Sequence, residues 1–340
     1  MAGNGYERRD CGDVGVKRTL IAVTGADGFI GSAYAARLAA RGQPVRRFVR
    51  NRAPAGADAD IVAIDLARTS VTDLAHRLDG VFAVVHLAGR AHVTNEAAPD
   101  ADATYKIANI VVTECLALAC VAAGVRRFIF ASTVKVNGEA TLPGAPFRPG
   151  DAPAPRDAYA RSKLTAERTL ARVASGTPML VANLRLPLVY GPGARGNFQR
   201  LVDAVAARRF LPLGAIDNRR SLLGLDNLLD ALDAALAAET AVSGTHFVAD
   251  ADSVSTPALV RAIASALRIA PRLVPIPVPA LRVAGALCGR GAEIARLTGS
   301  LEVDPGSFAR ASGWRSRPFA IDARTVAGGT MPPERRRGGS

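Results

Sequence analysis

Apolar residues in this chain fall into short runs separated by stretches with helical spacing, and the alternation is regular over the first half. The run 20–23 predicts a strand, a glycine-rich turn follows it, and 33–41 has the spacing of a helix. Gly42-Gln43-Pro44 turns the chain into a second strand at 45–49, and 60–64 predicts a third that ends at Asp65. The apolar run 81–87 ends in Ala88-Gly89, and helical periodicity covers 103–123 until Gly124 stops it. A strand at 127–131, a helix at 159–174 and a strand at 179–186 complete the series. Strands apolar on both faces, alternating with helices, predict an α/β chain built on a doubly wound parallel sheet. From about Gly191 the texture changes to Pro/Gly-rich loops (Gly191-Pro192-Gly193, Pro212-Leu213-Gly214) between Ala/Leu helices such as 227–238, the pattern of a smaller C-terminal lobe. The expected division is a loose tail over 1–18, a sheet domain over 19–190, a lobe over 191–326 that mainly covers the ligand cleft, and a loose basic tail over 327–340.

Composition narrows the classes. With 340 residues, 49% of them apolar, the chain has enough material for a large core. No uninterrupted apolar stretch reaches the roughly 18 residues of a membrane span. The nearest, 273–288, is broken by Pro275, Pro277, Pro279 and Arg282. Residues 1–18 are charged and lack the apolar centre of a signal peptide. The four cysteines form no C-x-x-C pair; Cys115 and Cys120 fall in the helical pattern as buried thiols. The expectation is a reducing cytoplasm, with no structural disulfide and no metal. A formal charge of +13 raises nucleic acid as a partner, but aromatics are only 5% and the basic residues are mostly scattered arginines. An anionic small substrate accounts for part of that charge.

Two motifs carry chemistry. Thr24-Gly25-Ala26-Asp27-Gly28-Phe29-Ile30-Gly31 joins a strand to a helix through glycines spaced G-x-x-G-x-x-G. Gly25 permits the tight turn, Gly28 admits a pyrophosphate, and Gly31 lets the helix pack closely, so the pyrophosphate meets the helix's free N–H groups. This is the opening of a Rossmann-like dinucleotide fold. Tyr159-Ala160-Arg161-Ser162-Lys163 places a phenol and an ammonium at i and i+4 on one helix face. A neighbouring ammonium is expected to lower the phenol's pKa and make Tyr159 a general acid/base. A strand ending in Ser132-Thr133 lies between the two motifs.

Together these residues resemble an extended short-chain dehydrogenase/reductase of the nucleotide-sugar epimerase/dehydratase family, from about Thr19 to Trp314. The resemblance gives the catalytic Ser/Thr role to Thr133, with Ser132 beside it on the cofactor, and proton transfer to Tyr159. It has Lys163 hold the nicotinamide ribose. It puts Asp65 and Leu66 on the adenine, has Ala88 and Gly89 admit the dinucleotide backbone, and has Asn109 brace the catalytic strand. Pro187 and Val189 stand beside the nicotinamide carboxamide, and Asn197 and Arg219 on a sugar-nucleotide diphosphate, with Arg220 a near-equal candidate for the clamp. Two departures stand out: Asn137 replaces the family's usual tyrosine, and Leu188 stands where many 4-epimerases carry asparagine.

The second strand ends in Arg46-Arg47-Phe48-Val49-Arg50-Asn51-Arg52, without the acid that NAD enzymes usually place on the adenosine ribose. Arg50 and Arg52 suit a 2′-phosphate, so NADP is slightly favoured over NAD. Segments such as Leu87-Ala88-Gly89-Arg90-Ala91-His92-Val93 and Asn218-Arg219-Arg220-Ser221-Leu222 resemble bacterial reductases of UDP-4-keto-6-deoxy-N-acetylhexosamine, which serve surface-polysaccharide precursors. The expected activity is therefore 4-keto reduction of a UDP-(N-acetyl)hexose. Alternatives are a UDP-glucose/UDP-N-acetylglucosamine 4-epimerase with tightly bound NAD, an oxidoreductase of a small lipid-like or phenolic carbonyl, and a non-catalytic NADP-sensing regulator. A homodimer through a helix pair is the family's expectation.

Overall fold

The computed structural model describes residues 19–50, 60–91, 101–238 and 242–327. The tail expectations for 1–18 and 328–340, and Arg52 and His92, lie outside these. In chain order the first half runs β1 (Leu20–Thr24), α1 (Phe29–Ala40), β2 (Val45–Val49), β3 (Ile61–Ala63), α2 (Val71–Arg77), β4 (Val81–His86), α3 (Ala101–Tyr105), a π-helical turn (Lys106–Val111), α4 (Val112–Ala122), β5 (Arg127–Thr133), α5 (Ala158–Ala174) and β6 (Leu180–Leu186). The second half runs β7 (Leu188–Tyr190), α6 (Asn197–Ala206), β8 (Arg220–Gly224), α7 (Leu225–Ala237), β9 (Gly244–Phe247), β10 (Ser253–Val254), α8 (Thr256–Ala266), α9 (Val278–Leu287), α10 (Gly291–Thr298), α11 (Gly306–Ser312) and α12 (Ala323–Val326).

The large sheet has seven parallel strands in the order β3-β2-β1-β4-β5-β6-β9. The order reverses between β1 and β4, which opens a crevice at the strands' carboxyl ends where ligands bind such sheets. Both faces are covered. One core joins β1, β5 and β6 to α1 and α7, with Tyr34, Leu184, Leu228 and Phe308 at its centre. The other sets Phe48, Val84 and Phe128 against α2, α4 and α5 through Leu74, Leu116 and Leu170. The described helical stretch 102–122 is long and apolar enough to cross a membrane on those two criteria. Its Leu116, Ala117, Ala119 and Cys120 are fully buried in that second core.

The expected division at 190/191 is crossed by the chain. A three-stranded sheet, β10-β8-β7, anchors the smaller lobe, but α7 packs on the large sheet and β9 becomes its edge. Asp250, just past β9, ties the two together: it accepts from Tyr190 Oη (2.7 Å), Gly224 N (2.8 Å) and Asn227 Nδ2 (2.7 Å). The helix expected over 103–123 contains the π turn 106–111, and α1 starts at Phe29 rather than at 33.

Candidate active site

The glycine turn is close-packed in the manner its spacing requires. Gly25 has φ +65°, and a Cβ there would stand 2.8 Å from Ala88 N. At Gly31 a Cβ would overlap the Gly25 carbonyl, so the third glycine packs the helix onto the turn itself rather than onto the strand. Gly28 caps α1 without any side-chain acceptor, leaving the first-turn N–H groups for an anion. Gly89 completes the cradle: a Cβ would meet Asn109 Oδ1 at 3.0 Å and Lys163 Nζ at 3.2 Å. The residues therefore fit a dinucleotide running over β1 and β4.

Behind the cradle lies a polar chain that no spacing in the sequence marks. Ala88 N donates to Thr24 Oγ1 (3.2 Å), which contacts His86 Nδ1 (2.7 Å). His86 Nε2 lies 3.0 Å from Thr113 Oγ1, which donates to Asn109 O at 2.7 Å. Because Thr113 spends its proton on that carbonyl, the network assigns the hydrogen to Nε2 and leaves Nδ1 as acceptor from Thr24. His86 is fully buried, and burial, with Lys163 nearby, pushes its pKa down to about 3. It is a neutral connector between β1, β4 and the π turn.

Asp157 starts α5: its Oδ1 accepts from Ala160 N (2.7 Å) as N-cap, and its Oδ2 pairs with Lys135 Nζ (2.6 Å). The helix then presents Tyr159 to the end of β5, where the Thr133 side chain acts on its hydroxyl. Burial, then Asp157 and then Tyr105 (ring centroids 5.9 Å apart) raise the phenol's pKa, with the Thr133 bond opposing them. This corrects the expectation that Lys163 lowers it. Lys163 Nζ instead donates to Ala131 O (2.9 Å) and lies 4.4 Å from the Phe130 ring centroid. Burial pulls its pKa down to about 8 while Glu167 acts to raise it.

Three further expectations change. Ser132 does not face the cradle; its hydroxyl donates to Glu167 Oε1 at 2.5 Å. Asn109 braces the loop after β4 and the Tyr159 helix rather than the catalytic strand, accepting from Arg90 N (2.9 Å) and donating to Arg90 O (3.1 Å) and Ser162 Oγ (2.9 Å). Arg220 caps a helix end, donating to Arg296 O (2.7 Å) and Gly299 O (3.1 Å), which removes it from the clamp candidates. Asn137, in place of tyrosine, accepts from Arg185 Nη1 at 2.8 Å.

Arg219 remains open. Its side chain is 59% exposed at the rim of a groove of about 270 Å³, also lined by Ser221, Asp250 and Asp252. Its Nε donates to Glu302 Oε1 (2.8 Å) and its Nη2 to Ser253 Oγ (3.2 Å). Burial alone would raise the Glu302 pKa, but Gly144 N, Arg219 and Ser253 together hold it low. Asn197 is exposed at the first turn of α6. Leu188 is 38% exposed, Val189 half-buried and Pro187 buried at the end of β6. Asp65 is exposed, with Oδ1 accepting from Ala67 N (3.0 Å) and Leu66 half-buried beside it. Arg50 is exposed, and its N–H lies 3.4 Å from Asp27 Oδ2, an acid that the glycine turn brings to the end of β2.

The model of the NAD dependent epimerase/dehydratase family matches residues 21–249. A UDP-glucose 4-epimerase of Vibrio cholerae is 34% identical over 296 residues, covering 87% of this chain and 90% of that protein. A 2-alkyl-3-oxoalkanoate reductase of Stenotrophomonas maltophilia is 30% identical over 61% of this chain and 62% of its own. Among solved structures, MoeE5 in complex with UDP-glucuronic acid and NAD superposes with a TM-score of 0.71 at 25% identity, covering 91% of this chain and 97% of that one.

Proposed function

The chain belongs to the NAD dependent epimerase/dehydratase family, and from that premise we propose that it reduces a 4-keto carbon of a UDP-(N-acetyl)hexose. The product fits the making of surface-polysaccharide precursors. The observation that carries the direction is Leu188, 38% exposed where the resemblance to 4-epimerases calls for an asparagine; Tyr159, kept protonated by burial and Asp157, supplies the proton. When bound, the reduced dinucleotide supplies the hydride for C4. Thr133 orients the carbonyl oxygen and Tyr159 protonates it. Lys163, beside Gly89, donates to the nicotinamide ribose, while the glycine turn and the start of α1 receive the pyrophosphate. Arg219 and Asn197 take the sugar-nucleotide diphosphate, Arg219 through the guanidinium edge that Glu302 leaves open. For the dinucleotide, exposed Arg50 favours a 2′-phosphate, whereas Asp27 offers an acceptor for a free ribose hydroxyl.

The Vibrio cholerae relative favours a second reading, a UDP-hexose 4-epimerase, in which Tyr159 first removes the proton that it later returns. Absorbance at 340 nm separates the two. Stoichiometric oxidation of NADPH or NADH by a UDP-4-keto-6-deoxy-N-acetylhexosamine supports the reductase and shows the preferred dinucleotide. No consumption, with C4 epimerisation of UDP-glucose or UDP-N-acetylglucosamine by protein carrying NAD⁺, replaces it with the epimerase. Failure to bind UDP, with turnover of a lipid-like ketone, would instead favour the chemistry of the Stenotrophomonas relative. A purely sensing role is disfavoured by the retention of Thr133, Tyr159 and Lys163 at one site.

A further inference from the structure

Four buried polar side chains behind the site take no part in the proton transfer. Glu167 is one helical turn beyond Lys163 and two beyond Tyr159, on the same side of α5. Its Oε1 accepts from Ser132 Oγ (2.5 Å) and Arg185 Nε (3.0 Å), and its Oε2 from Arg185 Nη2 (2.5 Å). Arg185 on β6 also donates to Asn137 Oδ1 (2.8 Å), and Asn137 Nδ2 lies 3.4 Å from Asp151 O. Ser132, Asn137, Glu167 and Arg185 are each at most 5% exposed.

A buried ion pair is a poor source of net stability, because desolvation cancels much of its attraction. Its position offers another reason for it. Ser132 lies between Ala131, whose carbonyl receives the Lys163 ammonium, and Thr133, whose hydroxyl meets Tyr159. One bond from Ser132 to Glu167 therefore ties down the three-residue stretch that supplies both partners. The carboxylate also stands one turn from an ammonium that burial disfavours.

We propose that Glu167 is a positioning residue for the dinucleotide-ribose contact: tied to β5 through Ser132 and to β6 through Arg185, it fixes the partners of Lys163 and Tyr159. This rests on the reading of Lys163 as a dinucleotide contact. Around Lys163 stand neutral His86 from β4, the Phe130 ring and Ala131 carbonyl from β5, Asn109 from the π turn, and Glu167 from α5, with Arg185 on β6 behind Glu167 and Tyr159 one turn earlier on α5. Glu167 is the carboxylate among them. Burial pulls the ammonium's pKa down to about 8 against the Glu167 charge, so dinucleotide affinity in the parent is expected to fall as pH rises through that value.

The test is dinucleotide binding by the full chain, measured calorimetrically with NADP⁺ and NAD⁺ across the pH range, with no sugar present. The neutral double variant Glu167→Gln/Arg185→Gln is expected to lose affinity at lower pH than the parent, binding about fivefold more weakly near neutrality. Ser132→Ala keeps the ion pair and serves if the double variant does not fold. It should bind about threefold more weakly at all pH values, and Ser132→Thr should recover the parent affinity. A folded double variant with the parent's pH profile, or parent-like binding by Ser132→Ala, overturns the proposal. Lys163→Ala is the control: if it binds like the parent, the reading of Lys163 fails, and this inference with it.

Discussion

Tyr159 carries the sharpest consequence at the scale of single residues. In the proposed reaction its hydroxyl moves the proton, and the cradle is built from other residues. Tyr159→Phe should lower kcat by a factor of about a hundred or more, the usual worth of a general acid, while dinucleotide affinity stays near the parent value. Stopped-flow or steady-state absorbance together with calorimetry reads both quantities, and wild-type turnover would discard the mechanism. Asp157 acts on the same proton from the helix cap. Asp157→Asn retains a capping oxygen but removes a charge that raises the phenol's pKa. Both motif residues were legible because i, i+4 spacing is a local property. The phenol's direction of shift was not, because it depends on burial and on Tyr105, which arrives from a separate helix.

At the scale of elements, the turn between β1 and α1 was readable from its glycines, since each close approach forbids a Cβ. Gly31→Ala forces the Gly25 carbonyl to move and should weaken dinucleotide binding by more than tenfold, with a stability loss of about 1–3 kcal/mol in a denaturant titration. Parent-like binding would show that the turn relaxes freely. The π turn was not readable. Apolar periodicity across 103–123 predicts an ordinary helix, whereas the observed widening carries Asn109 into contact with Arg90 and Ser162. That asparagine spans 19 residues one way and 53 the other, distances over which no periodicity speaks. Asn109→Ala leaves the Arg90 amide without its acceptor and removes the donor to the Ser162 hydroxyl, which keeps only the Tyr159 carbonyl. It should cost about 2 kcal/mol or more and loosen α5 against the loop after β4, seen as faster amide exchange in both segments. Arg220 fails as a clamp for a related reason: its neighbour in sequence points outward, while its own guanidinium is taken by carbonyls from α10.

Across the whole molecule, the sheet order and the layers follow from strand and helix alternation, but the boundary between lobes does not. A contiguous division misses that β9 returns to the large sheet, because a four-residue strand carries little pattern of its own. The seam is instead held by the polar hub at Asp250, and a second hub, inside the large sheet at the crevice, depends on His86. That ring connects β1, β4 and the π turn in its neutral form, with a pKa of about 3 against about 6.5 when unfolded. Between those values the unfolded chain binds the extra proton and the folded chain does not. The His86 contribution is thus fully present above about pH 6.5 and declines as pH falls, by at most about 1.4 kcal/mol per unit. Urea titrations at neutral pH and near pH 5 should show the parent losing about 2 kcal/mol more than His86→Gln, which has no titrating ring even if it starts less stable. Equal losses would mean that His86 accepts a proton inside the folded protein, and the neutral chain from Ala88 to Asn109 would then have to be redrawn with an imidazolium at its centre.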